Sequence, residues 1–466
     1  MSGTARPYNV AMQDPVTMPP GLVPGPPLAG RLAVPPSKSL AQRALLFACL
    51  VPGRTHLLGI PRQAPPADVA AALALVPALG RTLIWHGPSA LSIDGSGPGH
   101  AGGLAPAEPL EVGESGTLAR LATALAGLCC QGATTVRGSG SLSRRRSKAL
   151  FRALSRAGAQ VEPIHDAAPG GWPVHVRGIG PPPDLFLEDP ESSQELTALL
   201  LAAAAYPDSI HVHLKGALPS RPYVELTRRL LKEFAVRVER IEPYDSDHDT
   251  LAVNGAPRPP ERPLQLEPDA SAAAVGLAAG AITGGAVEVP GDWTASLQGD
   301  AEVTLALASF GVDTGRDGTG LRTSGPIQNG AELDLVDHPD LAPPLAAVAA
   351  AAAIQCGERS RLSGLAGLRG KESDRLAGLA GGLSAIGLEV AIEDEALLIG
   401  PPLGELRGAL LDPRADHRMA FAFALLGLLV PGVTLTDPGV VAKSWPSFWT
   451  DLGALGAAVP VPTKAP

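Results

Sequence analysis

Six long apolar segments recur along the chain, each directly after a small polar or acidic residue. Apolar residues on all sides predict buried helices. The segments are PSKSLAQRALLFACL, ESGTLARLATALAGL, ESSQELTALLLAAAA, PDASAAAVGLAAGAI, HPDLAPPLAAVAAAAA and ADHRMAFAFALLGLLV. Their starts are marked by Ser37, Ser115, Ser192, Asp269, Asp340 and Asp416, spaced by 78, 77, 77, 71 and 76 residues. Ser37 is a predicted N-cap.

A second series of amphipathic helices alternates with the first. Each of these helices runs through a small residue into a predicted strand, and glycine at that place typically ends a helix. The small residues are Gly80, Gly158, Ala235, Gly311, Gly387 and Gly456, spaced by 78, 77, 76, 76 and 69 residues. Two series with one period predict six copies of a unit that contains two helices and several short strands.

Six buried helices do not fit around one ordinary core, so we expect two similar domains, each with a bundle of three buried helices. The Pro-rich segment NGAPRPPERPLQLEPDAS suggests a boundary near residues 260–265. Residues 1–28 are rich in proline and are predicted to be a mobile tail.

Composition and charge exclude several other classes of protein. The 466 residues carry a formal charge of −9, which argues against nonspecific binding to nucleic acid. No apolar run is long enough for a membrane span, and the N-terminus does not resemble a signal peptide. Cys49, Cys129, Cys130 and Cys356 lack metal-ligand spacing, and we expect small buried residues in a reducing compartment.

Cationic side chains gather at the starts of the predicted buried helices and in the second segments of the repeats. Lys38 is the clearest example of a cation at an unexpected place, because the N-terminus of a helix is already partly positive. Helices that point their N-termini at one cleft would form, with these cations, a site for anions. The residues concerned are Lys38, Arg43, Arg120, Arg144, Arg145, Arg146, Lys371, Arg375, Arg418 and Lys443.

Taken one at a time, these residues have structural alternatives. Lys38 could be a solvated lysine, residues 144–146 an exposed basic loop, and the segment KESDR an ordinary amphipathic helix start. The DHRM segment could hold a structural ion pair. Their occurrence at matching repeat positions favours the anion site, and phosphate and carboxylate are the simplest ligands for it.

The motifs together resemble the 5-enolpyruvylshikimate-3-phosphate synthase (3-phosphoshikimate 1-carboxyvinyltransferase) family, over about residues 28–460. They are PSKSLAQRALL, SGTLARL, SSQELTALLLAA, SRPYVELT, PDASAA, HPDLAPPLA, KESDRL, DHRMAFAFALL and DPGVVAKSWPSF. The resemblance implies the α/β enolpyruvyl transferase fold, with two domains of three βαβαββ repeats each and buried parallel helices. It implies an N-terminal domain of residues 32–262, on the shikimate 3-phosphate side. The C-terminal domain, on the phosphoenolpyruvate side, would combine residues 29–31 and 263–466.

The resemblance also implies roles for individual residues. Those matching the family's shikimate 3-phosphate site are Lys38, Ser39, Arg43, Ser192, Ser193, Gln194, Ser220, Tyr223, Asp340 and Lys371. Those matching its phosphoenolpyruvate site are Lys38, Gly116, Arg145, Gln194, Arg375, Arg418 and Lys443. Those matching its catalytic groups are Asp340, Glu372 and Lys38.

The implied reaction adds the substrate 5-hydroxyl to C2 of phosphoenolpyruvate while C3 takes a proton, after which phosphate leaves and the proton is lost. Asp340 suits the base at the hydroxyl, and Glu372 and Lys38 are the candidates at the methylene carbon. No metal or organic cofactor is required. We expect small-molecule substrates, no nucleic-acid or membrane partner, and a cytoplasmic monomer.

Several positions depart from the family's pattern. Glu114 replaces the usual asparagine of N-A-G-T and would be unfavourable beside an anion unless it turned away or paired with an arginine. Pro36 replaces glycine, Gly367 replaces asparagine, and Leu121 stands where proline is common. Two alternatives remain open: a non-catalytic paralogue that binds anions, and UDP-N-acetylglucosamine enolpyruvyl transferase. The latter usually uses a loop cysteine, and residues 137–147 contain none.

Overall fold

The structure is a computed structural model of the chain. It describes residues 21–97, 104, 106, 109–130, 132–164, 167, 169–182, 184–241 and 248–459. The described helices are α1 Lys38–Ala48, α2 Ala67–Ala78, α3 Gly116–Leu128, α4 Lys148–Ala157, α5 Ser193–Ala203, α6 Pro222–Glu233, α7 Ala270–Thr283, α8 Val303–Ser309, α9 Ala342–Gln355, α10 Arg375–Ala385, α11 His417–Gly427 and α12 Phe448–Ala454. Short 3-10 helices span Gly140–Arg144, Gly299–Glu302, Pro339–Leu341, Ala366–Leu368 and Pro438–Lys443.

The strands are short and belong to several small sheets. They are β1 Ala29–Arg31, β2 Gly53–Leu58, β3 Thr82–Trp85, β4 Ala90–Gly95, β5 Leu110–Glu111, β6 Ala133–Arg137, β7 Gln160–Pro163, β8 Val174–Arg177, β9 Leu185–Glu188, β10 Ile210–Lys215, β11 Arg237–Ile241, β12 His248–Asn254, β13 Leu264–Gln265, β14 Ala286–Pro290, β15 Asp313–Arg316, β16 Gly320–Ser324, β17 Glu332–Asp334, β18 Ser360–Ser363, β19 Leu388–Glu393, β20 Ala396–Pro402, β21 Leu410–Leu411 and β22 Thr434–Leu435.

Five sheets have four strands and share one topology. A short outer strand pairs in parallel with the next strand, which pairs antiparallel with a third, and the fourth again pairs antiparallel at the far edge. The orders are β13-β2-β4-β3, β5-β6-β8-β7, β9-β10-β12-β11, β1-β14-β16-β15 and β17-β18-β20-β19. The last repeat keeps only the parallel pair β21-β22. The predicted α/β repeat fold is confirmed.

The two helix series take the places that their patterns predicted. In each bundle a central helix contacts two others: α3 packs against α1 and α5, and α9 against α7 and α11. The helices of the second series all end at the expected small residues, which have positive φ angles of 73°, 108°, 63°, 77°, 104° and 103° from Gly80 to Gly456. A left-handed backbone explains why five of these six positions are glycine.

Five of the six marker residues are N-caps. Their side chains accept hydrogen bonds from backbone N–H groups of the first turn, and they are Ser37, Ser115, Ser192, Asp269 and Asp416. Asp340 differs because it lies in a 3-10 turn before α9. Pro343 and Pro344 follow in the first turn of α9, where they leave fewer N–H groups to cap.

The buried apolar residues form two separate clusters. The first lies between Leu40 and Leu266, whereas the second combines Leu22, Leu28 and Leu32 with residues 270–457. The chain passes from one cluster to the other twice. These two passages run side by side, since Pro36 forms an antiparallel bridge with Pro268. Each cluster is the core of one body of the molecule, the first body around the Leu40–Leu266 cluster and the second around the other. The functional cavity described below lies between these two bodies.

The predicted mobile tail is only partly within the described residues. Residues 1–20 lie outside them. The following stretch is packed: Leu22 and Leu28 are 1% exposed, and Val23 bridges Ala458. The prediction that the tail extends to residue 28 was therefore wrong at its C-terminal end, because these apolar side chains complete the second cluster.

Candidate active site

A cavity of about 50 Å³ between the two bodies gathers most of the side chains named from the sequence. Its lining includes Lys38, Ser39, Arg43, Gly116, Arg145, Ser192, Ser193, Gln194, Ser220, Tyr223, Asp340, Lys371, Glu372, Arg375 and Arg418. Lys443 does not line it, but its Nζ lies 3.5 Å from Oε1 of Glu372. A larger cavity of about 670 Å³ adjoins it and shares Arg145, Ser192, Ser220, Lys371 and Glu372.

Three lining residues had no assigned role from the sequence: Asp68, Ser115 and Thr117. Asp68 is 4% exposed and its Oδ2 lies 3.0 Å from Nζ of Lys38. An acidic residue in the first turn of a helix is common for electrostatic reasons, so the sequence around Asp68 carried no distinct signal.

Two protein carboxylates lie at the start of α1, one at the side chain of Lys38 and one at its backbone N–H. Besides the ion pair with Asp68, its backbone N–H donates to Oδ2 of Asp269 at 3.0 Å. Asp269 also caps α7 through the N–H of Ala272 at 2.9 Å, so one carboxylate serves the N-termini of helices in both bodies. Asp68 therefore balances the ammonium of Lys38, and Asp269 faces the partly positive N-terminus of α1.

Arg43 lies on the α1 side of the cavity and is 1% exposed. Its guanidinium donates to Oγ1 of Thr227 at 3.0 Å, to Oγ1 of Thr197 at 3.4 Å and to the carbonyl of Ser39 at 2.8 Å. Burial lowers the pKa of Arg43 to about 10, which keeps it charged at neutral pH. Its hydrogen-bond partners are neutral, and no carboxylate among the described residues forms an ion pair with it.

Gly116 and Arg145 approach each other closely. A Cβ on Gly116 would lie 2.3 Å from Nη1 of Arg145, so a larger residue at this position would displace the guanidinium. Nη1 of Arg145 lies 3.6 Å from Oε1 of Glu372 across the cleft, and its buried Nε has no partner in the described residues. The guanidinium therefore has unused hydrogen-bonding capacity at the cavity.

Arg120 is a second buried cation on this side. It donates to the carbonyl of Gly116 at 2.9 Å, to Oε1 of Gln194 at 3.0 Å and to Oγ of Ser147 at 3.1 Å. Burial, followed by the charge of Arg145, lowers the pKa of Arg120 to about 10. Arg120 thereby fixes the side chain of Gln194.

Ser192, Ser193 and Ser220 line the cavity with hydroxyl groups. Ser192 caps α5, which begins at Ser193. Ser220 has a φ angle of 58°, and its N–H donates to the carbonyl of Val336 at 3.4 Å across the cleft. Asn, Asp and glycine are more usual at such an angle, so the turn before α6 is strained.

The opposite side of the cavity is organised by Arg375, which is 1% exposed. It contacts three carboxylates: Oδ2 of Asp416 at 2.7 Å, Oε2 of Glu372 at 2.7 Å and Oδ1 of Asp340 at 2.9 Å. Nη2 of Arg418 lies 2.9 Å from the other oxygen of Asp340. Both arginines are thus engaged in ion pairs within the protein.

These ion pairs set the charge of the carboxylates. Burial alone would raise the pKa of Asp340, but the charges of Arg418, Lys371 and Arg375 hold it well below its usual range. The same opposition applies to Glu372, whose pKa lies well below normal because Arg375 and other cations outweigh burial. Asp340 and Glu372 are therefore both ionised at neutral pH. Burial lowers the pKa of the neighbouring Lys371.

Glu114 turns away from the cavity and is not among the residues that line it. Its carboxylate accepts a hydrogen bond from Oγ of Ser141 at 3.0 Å and lies 4.0 Å from Nζ of Lys443. Of the two alternatives that the sequence left open, Glu114 therefore turns away, and its partners are a serine and a lysine.

The four cysteines are free, and three of them, Cys49, Cys129 and Cys130, are buried. Burial raises the pKa of Cys49 and of Cys130 to about 12. Within the described residues, no cluster of histidine, cysteine, aspartate or glutamate is arranged to hold a metal ion. The helices in that part of the chain include none long and apolar enough to cross a membrane.

Comparison of the chain with known proteins gives concordant results. The family described as EPSP synthase (3-phosphoshikimate 1-carboxyvinyltransferase) matches residues 23–452. A relative named 3-phosphoshikimate 1-carboxyvinyltransferase from Methanospirillum hungatei is 31% identical over 91% of this chain and 96% of its own. One with the same name from Methanopyrus kandleri is 34% identical over 93% and 97%.

Solved structures share the fold. EPSP synthase from Acinetobacter baumannii has a TM-score of 0.72 at 24% identity and covers 93% of this chain and 97% of its own. The enolpyruvyl transferase NikO from Streptomyces tendae has a TM-score of 0.66 at 17% identity, over 96% and 98%. The chain belongs to the EPSP synthase (3-phosphoshikimate 1-carboxyvinyltransferase) family.

Proposed function

We propose that the protein transfers the enolpyruvyl (carboxyvinyl) group of phosphoenolpyruvate to the 5-hydroxyl of shikimate 3-phosphate, with release of phosphate. This is the step of the shikimate pathway that serves chorismate and aromatic amino acid biosynthesis. The observation that carries the proposal is one cavity in which cations from both bodies converge on two ionised carboxylates, Asp340 and Glu372. The family membership supports the same reaction.

Each substrate has a proposed set of contacts. Shikimate 3-phosphate would bind Lys38, Ser39, Arg43, Ser192, Ser193, Gln194, Ser220, Tyr223, Asp340 and Lys371. Phosphoenolpyruvate would bind Lys38, Gly116, Arg145, Gln194, Arg375, Arg418 and Lys443. Charged donors suit phosphate and carboxylate oxygens because charge-assisted hydrogen bonds are stronger than neutral ones.

Asp340 is the proposed base at the 5-hydroxyl. The low pKa of Asp340 makes it a weak base, since Arg418 and Arg375 both contact it. The anionic groups of phosphoenolpyruvate would compete for those arginines. Their withdrawal from Asp340 would raise its pKa, so the base would gain strength when the substrate is bound.

Glu372 and Lys38 are the proposed proton donors and acceptors at the methylene carbon. Glu372 is held by Arg375, Arg145 and Lys443, three residues assigned to the phosphoenolpyruvate site. Binding of that anion would weaken their hold on Glu372 and raise its pKa. A carboxyl group whose pKa approaches neutrality is able both to donate and to accept the proton.

The remaining proposals concern the whole molecule. Two domains, residues 32–262 and residues 29–31 with 263–466, would close around the substrates, and the two apolar clusters support this division. We further propose a cytoplasmic monomer that needs no cofactor and binds small molecules rather than nucleic acid or membranes.

The test is phosphate release by the purified protein with shikimate 3-phosphate and phosphoenolpyruvate, each omitted in turn. We expect release only with both substrates, its loss in Lys38→Ala, and its retention in Lys232→Ala, which removes an exposed lysine from α6. Binding of both substrates without release would overturn the proposal and favour a non-catalytic protein. Release with UDP-N-acetylglucosamine instead would indicate the other transferase.

A further inference from the structure

A second layer of polar side chains lies directly behind Asp340. The Tyr223 hydroxyl faces two carboxylates, Oδ2 of Asp340 at 3.1 Å and Oδ2 of Asp300 at 3.3 Å. Tyr223 belongs to α6 in the first body, whereas both aspartates belong to the second. One phenolic proton is therefore shared between two acidic groups at the interface.

Asp300 is buried, with 3% of its surface exposed, and is held from several directions. Oγ of Ser271 makes a short hydrogen bond to its Oδ2, and Ser271 in turn accepts one from Arg418 at 3.3 Å. Arg418 also contacts Asp340. Asp300 thus reaches Asp340 by two routes, through Tyr223 and through Ser271 with Arg418.

The other oxygen of Asp300 lacks a partner in the described part of the chain. Oδ1 lies 4.0 Å from Nδ1 of His338, and that nitrogen also has no hydrogen bond. His338 Nε2 lies 3.3 Å from Oε2 of Glu302, which is 53% exposed. A separation of 4.0 Å is too long for a hydrogen bond, but a proton on Oδ1 of Asp300 would place a donor opposite an acceptor.

We propose that Asp300 is a positioning residue for Asp340: it carries a proton on the side of His338, and its other oxygen keeps the Tyr223 hydroxyl from being committed to Asp340 alone. The inference rests on the proposed role of Asp340 as the base. Burial, and then the charge of Asp340, raise the pKa of Asp300, which supports the protonated form.

The charged groups around Asp300 and Asp340 act in opposite directions on the two carboxyl groups. Arg418 and His338 oppose the raised pKa of Asp300, as does the Ser271 hydroxyl. Around Asp340, the cations are Arg418, Lys371 and Arg375. Burial, followed by Asp300 and Asp340, raises the pKa of Tyr223 well above its usual range, so the phenol remains a donor.

Removal of Asp300 should weaken the base. In Asp300→Ala, the Tyr223 hydroxyl would donate to Asp340 alone, and a hydrogen bond to the charged form lowers a pKa. We expect kcat to fall about 10-fold or more and its acidic limb to move to lower pH. Because Tyr223 stays in place, the KM for shikimate 3-phosphate should change by less than about 3-fold.

The conservative variant Asp300→Asn separates positioning from charge. Its carbonyl oxygen can accept from Tyr223 and Ser271, and its amide can donate to His338, as a protonated aspartate would. We expect a kcat within about 3-fold of the wild-type value and an acidic limb at the same pH as in the wild type. Asp313→Asn, which removes an exposed carboxylate from β15, is the control.

A double-mutant cycle with Tyr223→Phe tests the route. Without the hydroxyl, Asp300→Ala should no longer move the acidic limb of kcat, because the two changes act on one contact. A shift of equal size in both backgrounds would overturn the inference. Unchanged kcat in Asp300→Ala would overturn it too, as would an Asp300→Asn variant as impaired as Asp300→Ala.

The same measurements distinguish this inference from the proposed function. Substrate-dependent phosphate release by the wild-type protein tests the function alone. An active wild type with an unaltered Asp300→Ala variant overturns only the positioning role. An inactive wild type overturns both.

Discussion

Two buried arginines face the cavity from opposite sides and are held in opposite ways. Arg43 and Arg375 are each 1% exposed. Arg43 donates to two threonine hydroxyls and a backbone carbonyl, all neutral. Arg375 contacts three carboxylates. Burial lowers the pKa of Arg43 to about 10, whereas the carboxylates outweigh burial and raise the pKa of Arg375.

The difference teaches how the two sides can bind anions. On the Arg43 side, an incoming phosphate meets a cation that has no ion pair with any carboxylate in the described part of the chain. On the Arg375 side, an incoming carboxylate or phosphate must displace a protein carboxylate. We infer that Arg43 binds an anion by addition and Arg375 by exchange, and that the exchange changes the basicity of Asp340 and Glu372.

The largest expected effect concerns the free energy of unfolding. Arg375→Met would remove the arginine that three carboxylates share and leave the buried Asp416 without it, and breaking a buried ion pair in this way costs about 3–5 kcal/mol. Arg43→Met would leave only neutral acceptors unpaired, at about 1–3 kcal/mol. Urea unfolding of both variants measures the difference. Equal destabilisation would contradict the comparison.

Binding should respond in opposite directions on the two sides. Arg43→Met should weaken shikimate 3-phosphate binding about 10- to 100-fold, the value of a charge-assisted hydrogen bond. Asp340→Asn should instead tighten phosphoenolpyruvate binding, by up to about 10-fold, because Arg418 and Arg375 lose a competing anion.

Isothermal titration calorimetry of each variant measures both affinities, and Asp313→Asn on β15 serves as the control for loss of an exposed carboxylate. Weaker phosphoenolpyruvate binding by Asp340→Asn would exclude exchange on the second side. Phosphate release in the same variant should fall steeply, because the proposed base is removed.

The repeats and the cations could be predicted from the sequence, but their partners could not. The apolar segments and the small residues from Gly80 to Gly456 are local signals, and each led to a correct helix or helix end. Lys38 illustrates the limit. It was predicted to need an anion, and the structure supplies Asp68 and Asp269, which are 30 and 231 residues away in the chain.

Asp300 shows the same limit in the second body. Its segment SLQGDAE has no feature that distinguishes a buried carboxylate from a surface one. Its importance arises from contacts with Tyr223, Ser271 and the neighbourhood of His338, which come together only through the packing of four separate elements. Likewise, Leu22 and Leu28 lie in a proline-rich stretch and are buried only because the second apolar cluster covers them.

The pH dependence of stability should distinguish His417 from the carboxylates beside it. His417 is 1% exposed, and burial, followed by the charge of Lys38, lowers its pKa well below the usual value. The unfolded chain takes up a proton near pH 6.5 that the native protein excludes. Stability should therefore fall as pH drops below about 6.5, by up to about 1.4 kcal/mol per pH unit.

The depressed pKa values of Asp340 and Glu372 act at lower pH. Their contribution is complete above the unfolded values near 4 and is lost only below them, so it leaves the range from pH 5 to 6.5 unaffected. His417→Gln should reduce the slope in that range by about one proton, whereas His175→Gln, at an exposed site on β8, should not. Urea unfolding at several pH values gives the slopes, and equal slopes for wild type and His417→Gln would contradict the prediction.

The smallest expected effect is at Glu114, the carboxylate of the first body that approaches a cation of the second. Its side chain is 38% exposed, and it lies 4.0 Å from Lys443. Because Glu114 points toward Ser141 and not into the cavity, Glu114→Asn should change the KM for phosphoenolpyruvate by less than about 3-fold. The direction should be toward tighter binding, since Lys443 loses a competing carboxylate.

Glu114→Gln, which keeps the length of the side chain, separates the loss of charge from the loss of contact with Ser141. Similar small decreases in KM for both variants would place Glu114 with the competing carboxylates of the exchange side, although it belongs to the other body. An increase of more than about 10-fold in either variant would mean that Glu114 supports the ligand through Lys443, because a mere competitor for that lysine cannot improve binding by being present.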